Sequence, residues 1–115
     1  MTAEEMFCML HEKYGDAFQW EMVPFTESRG ILMDEFRKEL PSNDPIHSDP
    51  SVRAVAKSTT GNDVLYLIGN KAGDDTYRIC HLTYTDRPLQ CIIFDDLQAV
   101  TAHFEKQIAY AQISG

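Results

Sequence analysis

Hydrophobic residues recur at helical spacing in three segments of the chain. The first segment opens with a capping box at Thr2 and stops at Gly15, and the second stops at Pro41. The third follows Asp95 and Asp96, either of which can cap a helix. The apolar positions are Ala3, Met6, Phe7, Leu10 and Tyr14 in the first segment, Leu32, Met33, Phe36 and Leu40 in the second, and Leu97, Val100, Phe104, Ile108 and Ala111 in the third. This period predicts three amphipathic helices.

Five further segments carry the patterns of β-strands. Residues 18–22 alternate apolar and polar side chains, which is the period of a half-buried strand, and Pro24 limits this strand. Residues 64–68 are apolar on both faces, which indicates a central strand. The other predicted strands cover 52–58, 77–85 and 91–94. Short polar turns join the last four strands, so an antiparallel meander is expected.

The order of these elements predicts one α+β domain over residues 1–115. The order is helix, strand, helix, four strands and helix. Helices packed mainly on one face of an antiparallel sheet of four to five strands satisfy it most simply. The proline-rich stretch 41–50 is predicted to be a surface loop. It could separate two domains, but neither side is large enough to fold comfortably alone.

Composition limits the classes of function that the chain can serve. Hydrophobic residues make up 43% of its 115 residues, too large a share for a disordered acidic tail. The sequence pI near 4.8 argues against nucleic acid and anionic membranes as direct ligands, since Lys and Arg carry such binding. No segment is predicted to span a membrane or to act as a secretory signal. We expect a cytoplasmic protein in which Cys8, Cys80 and Cys91 are buried free thiols, because they are odd in number and lack metal-type spacing.

Negative charge is concentrated in the first 49 residues. The net charge is −8, and eleven acids against four bases place −7 of it before Pro50. Clustered like charge selects partners by sign and speeds encounter with basic surfaces. We therefore expect a basic protein partner that is held by an acidic patch with Trp20 or Phe25 as the aromatic anchor. The acids of this predicted docking patch are Glu21, Glu27, Asp34, Glu35 and Glu39.

Two simpler interpretations compete with the docking patch. Trp20 lies on a predicted half-buried strand, where packing in the core is the commoner role. Acids on amphipathic helices have to be exposed somewhere, and they can serve solubility alone.

His81 offers an alternative site. Side chains alternate along a strand, so Tyr77, His81 and Thr83 share one face. If the helices cover the opposite face, this open face could bind a small ligand, with His81 as a proton donor or acceptor. A structural histidine bonded to a neighbouring strand is the simpler interpretation, because the sequence identifies neither an orienting acid nor a nucleophile.

No catalytic residue, metal site or cofactor is predicted. Asp95 and Asp96 directly precede a helix, so capping explains them better than a converging pair of carboxylates does. His47 and Asp49 offer two metal ligands on a loop, but zinc or iron needs at least one more. The sequence contains no phosphate-binding glycine loop, calcium loop or nucleophile elbow.

Four blocks in the C-terminal half resemble a family of small, uncharacterised bacterial proteins. The blocks are 54–58 (AVAKS), 62–67 (NDVLYL), 81–85 (HLTYT) and 94–97 (FDDL), and Trp20 with Glu21 gives an earlier match. They are strand and turn patterns, so the resemblance implies no reaction. Bacterial immunity proteins, which neutralise toxic nucleases and other effectors, are similar in size and charge.

The leading hypothesis is therefore a non-enzymatic bacterial binding protein of the cytoplasm. In this hypothesis it is an immunity protein that neutralises a toxin by covering its basic surface. The alternative is a small-ligand or catalytic module around His81. Self-association through the sheet is a third possibility, and the oligomeric state and strand order stay open.

Overall fold

The computed structural model describes residues 2–24, 30–47, 49–69, 75–85, 87 and 89–114, with side chains up to residue 111. Its helices are α1 (Ala3–Tyr14), α2 (Ile31–Glu39) and α3 (Leu97–Ser114). Its strands are β1 (Trp20–Met22), β2 (Arg53–Ser58), β3 (Asp63–Ile68), β4 (Thr76–His81) and β5 (Gln90–Phe94). The predicted order of elements is confirmed.

The helix ends follow the predicted signals. Thr2 Oγ1 accepts a hydrogen bond from Glu5 N at 3.2 Å, and Thr2 N donates to Glu5 Oε1 at 3.4 Å, which completes the capping box. Gly15 ends α1 at a φ of 57°, a conformation that glycine adopts without steric cost. Asp96 Oδ1 caps α3 by accepting from Ala99 N at 2.8 Å.

The five strands form one antiparallel sheet in the order β1-β2-β3-β4-β5. Each strand pairs with the next one along the chain, so the predicted meander is confirmed. β3 is the central strand, as its apolar pattern on both faces predicts. β1 and β5 form the two edges.

Helices cover both faces of this sheet. α1 and α3 pack on one face, and α2 packs on the other. The prediction of helices mainly on one face therefore holds for two of the three. The first core cluster includes Phe7, Leu10, Leu65, Tyr77, Ile79, Phe94 and Phe104, and the second includes Met33, Phe36, Leu40, Val64, Tyr66, Cys80 and Leu82.

Aromatic rings fill the layer between the sheet and the α1–α3 pair. The centroid of the Phe104 ring lies 4.9 Å from that of Trp20, 5.3 Å from that of Phe18 and 5.8 Å from that of Phe7. Tilted and edge-to-face contacts of this kind add stability beyond the area that they bury. Trp20 is 5% exposed, so it is a core residue and not the surface anchor of a docking patch.

The prediction of three buried free thiols is wrong. Cys80 of β4 and Cys91 of β5 form a disulfide, and Cys8 is free but exposed. The two bonded cysteines lie directly opposite each other on neighbouring strands. Their sequence separation of 11 does not reveal this contact, because the register of the two strands creates it.

Replacing Phe104 with alanine tests the aromatic cluster. Phe104→Ala empties the centre of the cluster, so we expect the free energy of unfolding to fall by about 3–5 kcal/mol. Urea denaturation followed by circular dichroism measures this loss. Tyr110→Ala is the matched control, since Tyr110 lies on the same helix but is 74% exposed. It should change stability by less than about 0.5 kcal/mol, and equal losses in the two variants would contradict the cluster.

Candidate docking groove

A buried carboxylate at the end of α2 holds the segment that follows β4. Glu39 is 7% exposed. Its Oε1 accepts hydrogen bonds from Thr83 N at 2.8 Å and from Thr83 Oγ1 at 2.6 Å, and its Oε2 accepts one from Tyr84 N at 3.0 Å. A buried charge is tolerated where such bonds replace those to water. Because these backbone groups bond to Glu39 and not to the sheet, β4 ends at His81 and not at residue 85 as predicted.

Glu35 lies one helical turn before Glu39 and is hydrogen-bonded to it. This bond, followed by burial, raises the pKa of Glu35 above its ordinary value of 4.5. Burial raises the pKa of Glu39 as well, but the hydrogen bonds from Glu35, Thr83 and Tyr84 outweigh burial and lower that pKa to about 2. Glu35 Oε2 is buried without a hydrogen-bond partner among the described residues. When the pair binds one proton, that proton therefore favours Glu35 and leaves the negative charge on Glu39.

Tyr84 is presented to solvent in a strained backbone conformation. Its φ is 55°, and among the described residues no other non-glycine residue has a positive φ. That conformation costs an L-residue roughly 1–2 kcal/mol, which the bonds to Glu39 offset. Thr85 N supports the turn by donating to Thr83 Oγ1 at 3.2 Å. Tyr84 is 49% exposed, so it is fixed without being buried.

A groove of about 430 Å³ lies beside Tyr84, and we call it the Tyr84 groove. It is bounded by Glu21 of β1, Leu32 of α2, Lys57 of β2, Asp63 of β3 and Tyr84 itself. An exposed aromatic ring, an aliphatic wall and two carboxylates therefore share one concave surface. This combination suits a partner that offers both apolar and cationic groups.

The ion pair in the Tyr84 groove is open to exchange. Glu21 Oε1 lies 3.5 Å from Lys57 Nζ, and the two side chains are 54% and 48% exposed. Exposed pairs of this kind contribute about 0–1 kcal/mol, so a cation from a partner can replace Lys57 at little cost.

The members of the predicted docking patch differ in their exposure to solvent. Of its members, Glu21 and Asp34 are exposed, Glu35 is half-buried, Glu39 and Trp20 are buried, and Phe25 and Glu27 lie outside the described residues. The exposed aromatic side chain beside Glu21 is Tyr84, a residue that the sequence did not single out.

The predicted open face around Tyr77, His81 and Thr83 is closed at Tyr77 by α1 and α3. Tyr77 is 6% exposed and packs in the core beneath α1 and α3. Thr83 lies beyond the end of β4 and donates to Glu39. The prediction placed the helices on the opposite face of β4, but helices lie on both faces of the sheet, and α1 and α3 cover Tyr77.

His81 lies at the end of β4 and keeps its access to solvent. Its side chain is 61% exposed, and Nδ1 lies 2.8 Å from Asp63 Oδ1 on β3. A cavity of about 400 Å³ at this end of the sheet is lined by His81, Thr83 and Arg87, among others. His81 therefore has a carboxylate partner, Asp63, and lies beside a concave surface.

The loop at His47 and Asp49 is stabilised by turn contacts. Asp49 Oδ1 accepts from Ser51 N at 2.9 Å and from Ser51 Oγ at 2.7 Å, and Asp44 Oδ1 accepts from Ile46 N at 3.0 Å. Asp side chains commonly stabilise turns in this way. In the described part of the chain, no three His, Cys, Asp or Glu side chains are grouped so that they could hold a metal ion.

Comparison with known proteins gives no match. No protein-family model, curated protein or solved structure matches this chain. Within the described ranges, the helices lack the combined length and apolar character needed to cross a membrane. We base the proposed functions on the Tyr84 groove and the His81 cavity.

Glu39→Gln should destabilise the protein at neutral pH. A carboxylate accepts all three hydrogen bonds, whereas the amide group of Gln turns a donor toward one of the partner donors. We expect a loss of about 1.5–3 kcal/mol in the free energy of unfolding. Because the folded-state pKa of Glu39 lies below its ordinary value, its stabilisation is present above about pH 4.5 and is lost as pH falls through about 2. Urea denaturation across this range should show the difference between variant and wild type shrinking.

Glu35→Gln is the matched control on the same helix. Its amide NH₂ group can donate a hydrogen bond to the Glu39 carboxylate. The raised pKa of Glu35 means that folding disfavours its ionised form, so stability at neutral pH should be unchanged or higher. Losses of equal size in the two variants, or a Glu39→Gln loss that does not change with pH, would contradict the assigned bonds.

Proposed function

We propose that the chain is a non-enzymatic binding protein that docks on a basic surface of a protein partner through the Tyr84 groove. The observation that carries the proposal is Tyr84 itself, exposed at a φ of 55°, held by the buried Glu39 and placed beside Glu21 and Asp63. Strained residues that their surroundings hold in place cluster at ligand clamps and other functional sites. Tyrosine is also among the residues that dominate binding energy at interfaces.

The negative charge of the chain makes this groove selective for basic partners. The net charge of −8 attracts basic surfaces and repels acidic ones before contact is made. On contact, an arginine of the partner can take the place of Lys57 beside Glu21 and form a bidentate pair. Attraction sets the rate and sign of the encounter, and burial of the Tyr84 ring slows dissociation.

The partner class that best fits this chemistry is a bacterial toxin with a nucleic-acid-binding cleft. Such clefts are lined with Lys and Arg, because phosphate binding depends on them. An acidic protein that covers the cleft neutralises the toxin without any reaction, so in this proposal the chain is an immunity protein of the cytoplasm.

Affinity capture from a lysate of the source organism, followed by calorimetry with the purified captured protein, tests the proposal. We expect the chain to retain a basic protein at about 50 mM salt and to lose most of it at about 500 mM, because salt screens exposed charges. Tyr84→Ser removes the anchor and Glu21→Lys reverses a groove charge. Each should weaken the affinity for that protein by at least about tenfold.

Glu12→Lys is the matched control, since it makes the same charge change at an exposed position of α1 that does not line the groove. It should leave the affinity within about threefold of wild type. Capture that is insensitive to salt, or equal losses for Glu12→Lys and Glu21→Lys, would contradict docking through the groove. The immunity role further requires that the captured protein stops growth when expressed alone and is harmless when co-expressed with this chain.

His81 supports a second candidate function, a small-ligand-binding or catalytic module at the end of the sheet. The observation in its favour is the Asp63 carboxylate 2.8 Å from His81 Nδ1. A bond to one ring nitrogen orients the ring and leaves the other nitrogen for proton transfer. Arg87 in the same cavity suits an anionic ligand.

Titration with inorganic phosphate, followed by amide NMR spectra, tests this second candidate. We expect saturable shifts of the His81, Thr83 and Arg87 resonances at millimolar phosphate. Arg87→Gln should abolish the saturation, because the cavity then lacks its permanent cation. Wild-type spectra without saturable shifts, or shifts that persist unchanged in Arg87→Gln, would exclude an anion site here.

A further inference from the structure

β5 is an edge strand with apolar side chains on both of its faces. In the described sheet it pairs with β4 alone. Ile92 is 51% exposed and Ile93 is 63% exposed, and neighbouring side chains on a strand point to opposite faces. No residue of β5 is charged. Proteins commonly protect such edges with charge, proline or a covering element, and the sequence of β5 carries neither of the first two.

The backbone groups of Cys91 and Ile93 face away from β4. Cys80 and Cys91 lie opposite each other with Cα atoms 4.1 Å apart, the close spacing of a cross-strand pair whose N–H and C=O groups point outward. In agreement, Leu82 N donates to Asn62 O at 3.0 Å, on the β3 side of β4, and Leu82 has the same orientation as Cys80. Because orientation alternates along a strand, Cys91 and Ile93 present two N–H and two C=O groups at the edge.

We propose that β5 pairs with β5 of a second copy of this chain and so joins the two sheets into one. Antiparallel pairing around a two-fold axis at Ile92 places Cys91 of each copy opposite Ile93 of the other. All four outward-facing groups of each copy then gain hydrogen-bond partners. The two Ile92 side chains meet across the axis as a closely spaced pair, and the symmetric contact closes with two copies.

The charge at the two ends of β5 fits antiparallel pairing with a second copy. Asp95 and Asp96 follow β5, whereas the segment before it carries Asp86 and Arg87, whose charges cancel. Antiparallel pairing keeps the two acidic ends apart and brings each of them to the neutral end of the other copy. β5 is therefore complementary to itself in hydrogen bonding and apolar surface, and its like charges do not meet. The proposal does not rest on the Tyr84 groove, whose β1 wall belongs to the opposite edge of the sheet.

Light scattering during size-exclusion chromatography tests this pairing. The mass of the wild-type protein should rise from one chain toward two as its concentration increases from about 5 µM to about 500 µM. Ile93→Pro removes an outward-facing N–H but no bond to β4, and Ile93→Lys places a charge on the edge. Each should raise the Kd of the dimer by at least about tenfold.

Ile31→Lys is the matched control, because Ile31 is 79% exposed but lies on α2. It should leave the Kd of the dimer unchanged. A wild-type chain that stays a monomer over the whole range, or an equal loss of dimer in Ile31→Lys, would overturn the proposal.

Hydrogen exchange of the wild-type amides keeps the proposal testable if the Ile93 variants fail to fold. Exchange at Cys91 and Ile93 should slow as the concentration rises, whereas the Ile92 amide, which faces β4, should be protected at every concentration. Exchange at Cys91 and Ile93 that is independent of concentration would overturn the pairing. That result would leave the proposed docking function untouched, since the two proposals use different surfaces.

Discussion

The candidate docking site depends on the hydrogen bonds that the Glu39 carboxylate accepts. This carboxylate joins the end of α2 to the segment after β4 through three hydrogen bonds from Thr83 and Tyr84. A nearly buried charge without such bonds would be costly, so the helix and the segment are fixed relative to each other. The early end of β4, the left-handed backbone of Tyr84 and one wall of the groove all follow from this contact.

Most of the fold can be predicted from periodicity and local signals. The capping box at Thr2 and the stop at Gly15 define α1, and the apolar pattern of 64–68 on both faces identifies the central strand. Short turns then leave the antiparallel meander as the simplest arrangement. The layer of each helix cannot be predicted in this way. An apolar stripe shows that a helix is amphipathic but not which face of the sheet receives it, and the stripe of α2 resembles those of α1 and α3.

The site is harder to predict, because its residues meet over long sequence distances. Glu39 lies at the margin of the apolar stripe, three residues after Phe36, so its position on the buried side of α2 can be inferred from the helical period. Its partners are 44 and 45 residues away, and no local pattern identifies them. The conformation of Tyr84 follows from those partners, since its own side chain disfavours a positive φ. The Cys80–Cys91 pair cannot be predicted for the same reason, because it depends on strand register.

The Tyr84 groove and the β5 edge are separate surfaces of this small acidic chain. The Tyr84 groove combines a fixed aromatic ring with exchangeable charge, whereas β5 offers an uncharged strand edge at the far side of the sheet. The acids of the first 49 residues therefore do not act as one patch: Glu39 is an internal anchor, and Glu21 is a groove charge. The most direct test is an NMR titration of the side-chain carboxyl carbon of Glu39. A pKa of about 2 is expected if three donors hold the carboxylate, and a pKa at or above the ordinary 4.5 would contradict its role as the anchor of Tyr84.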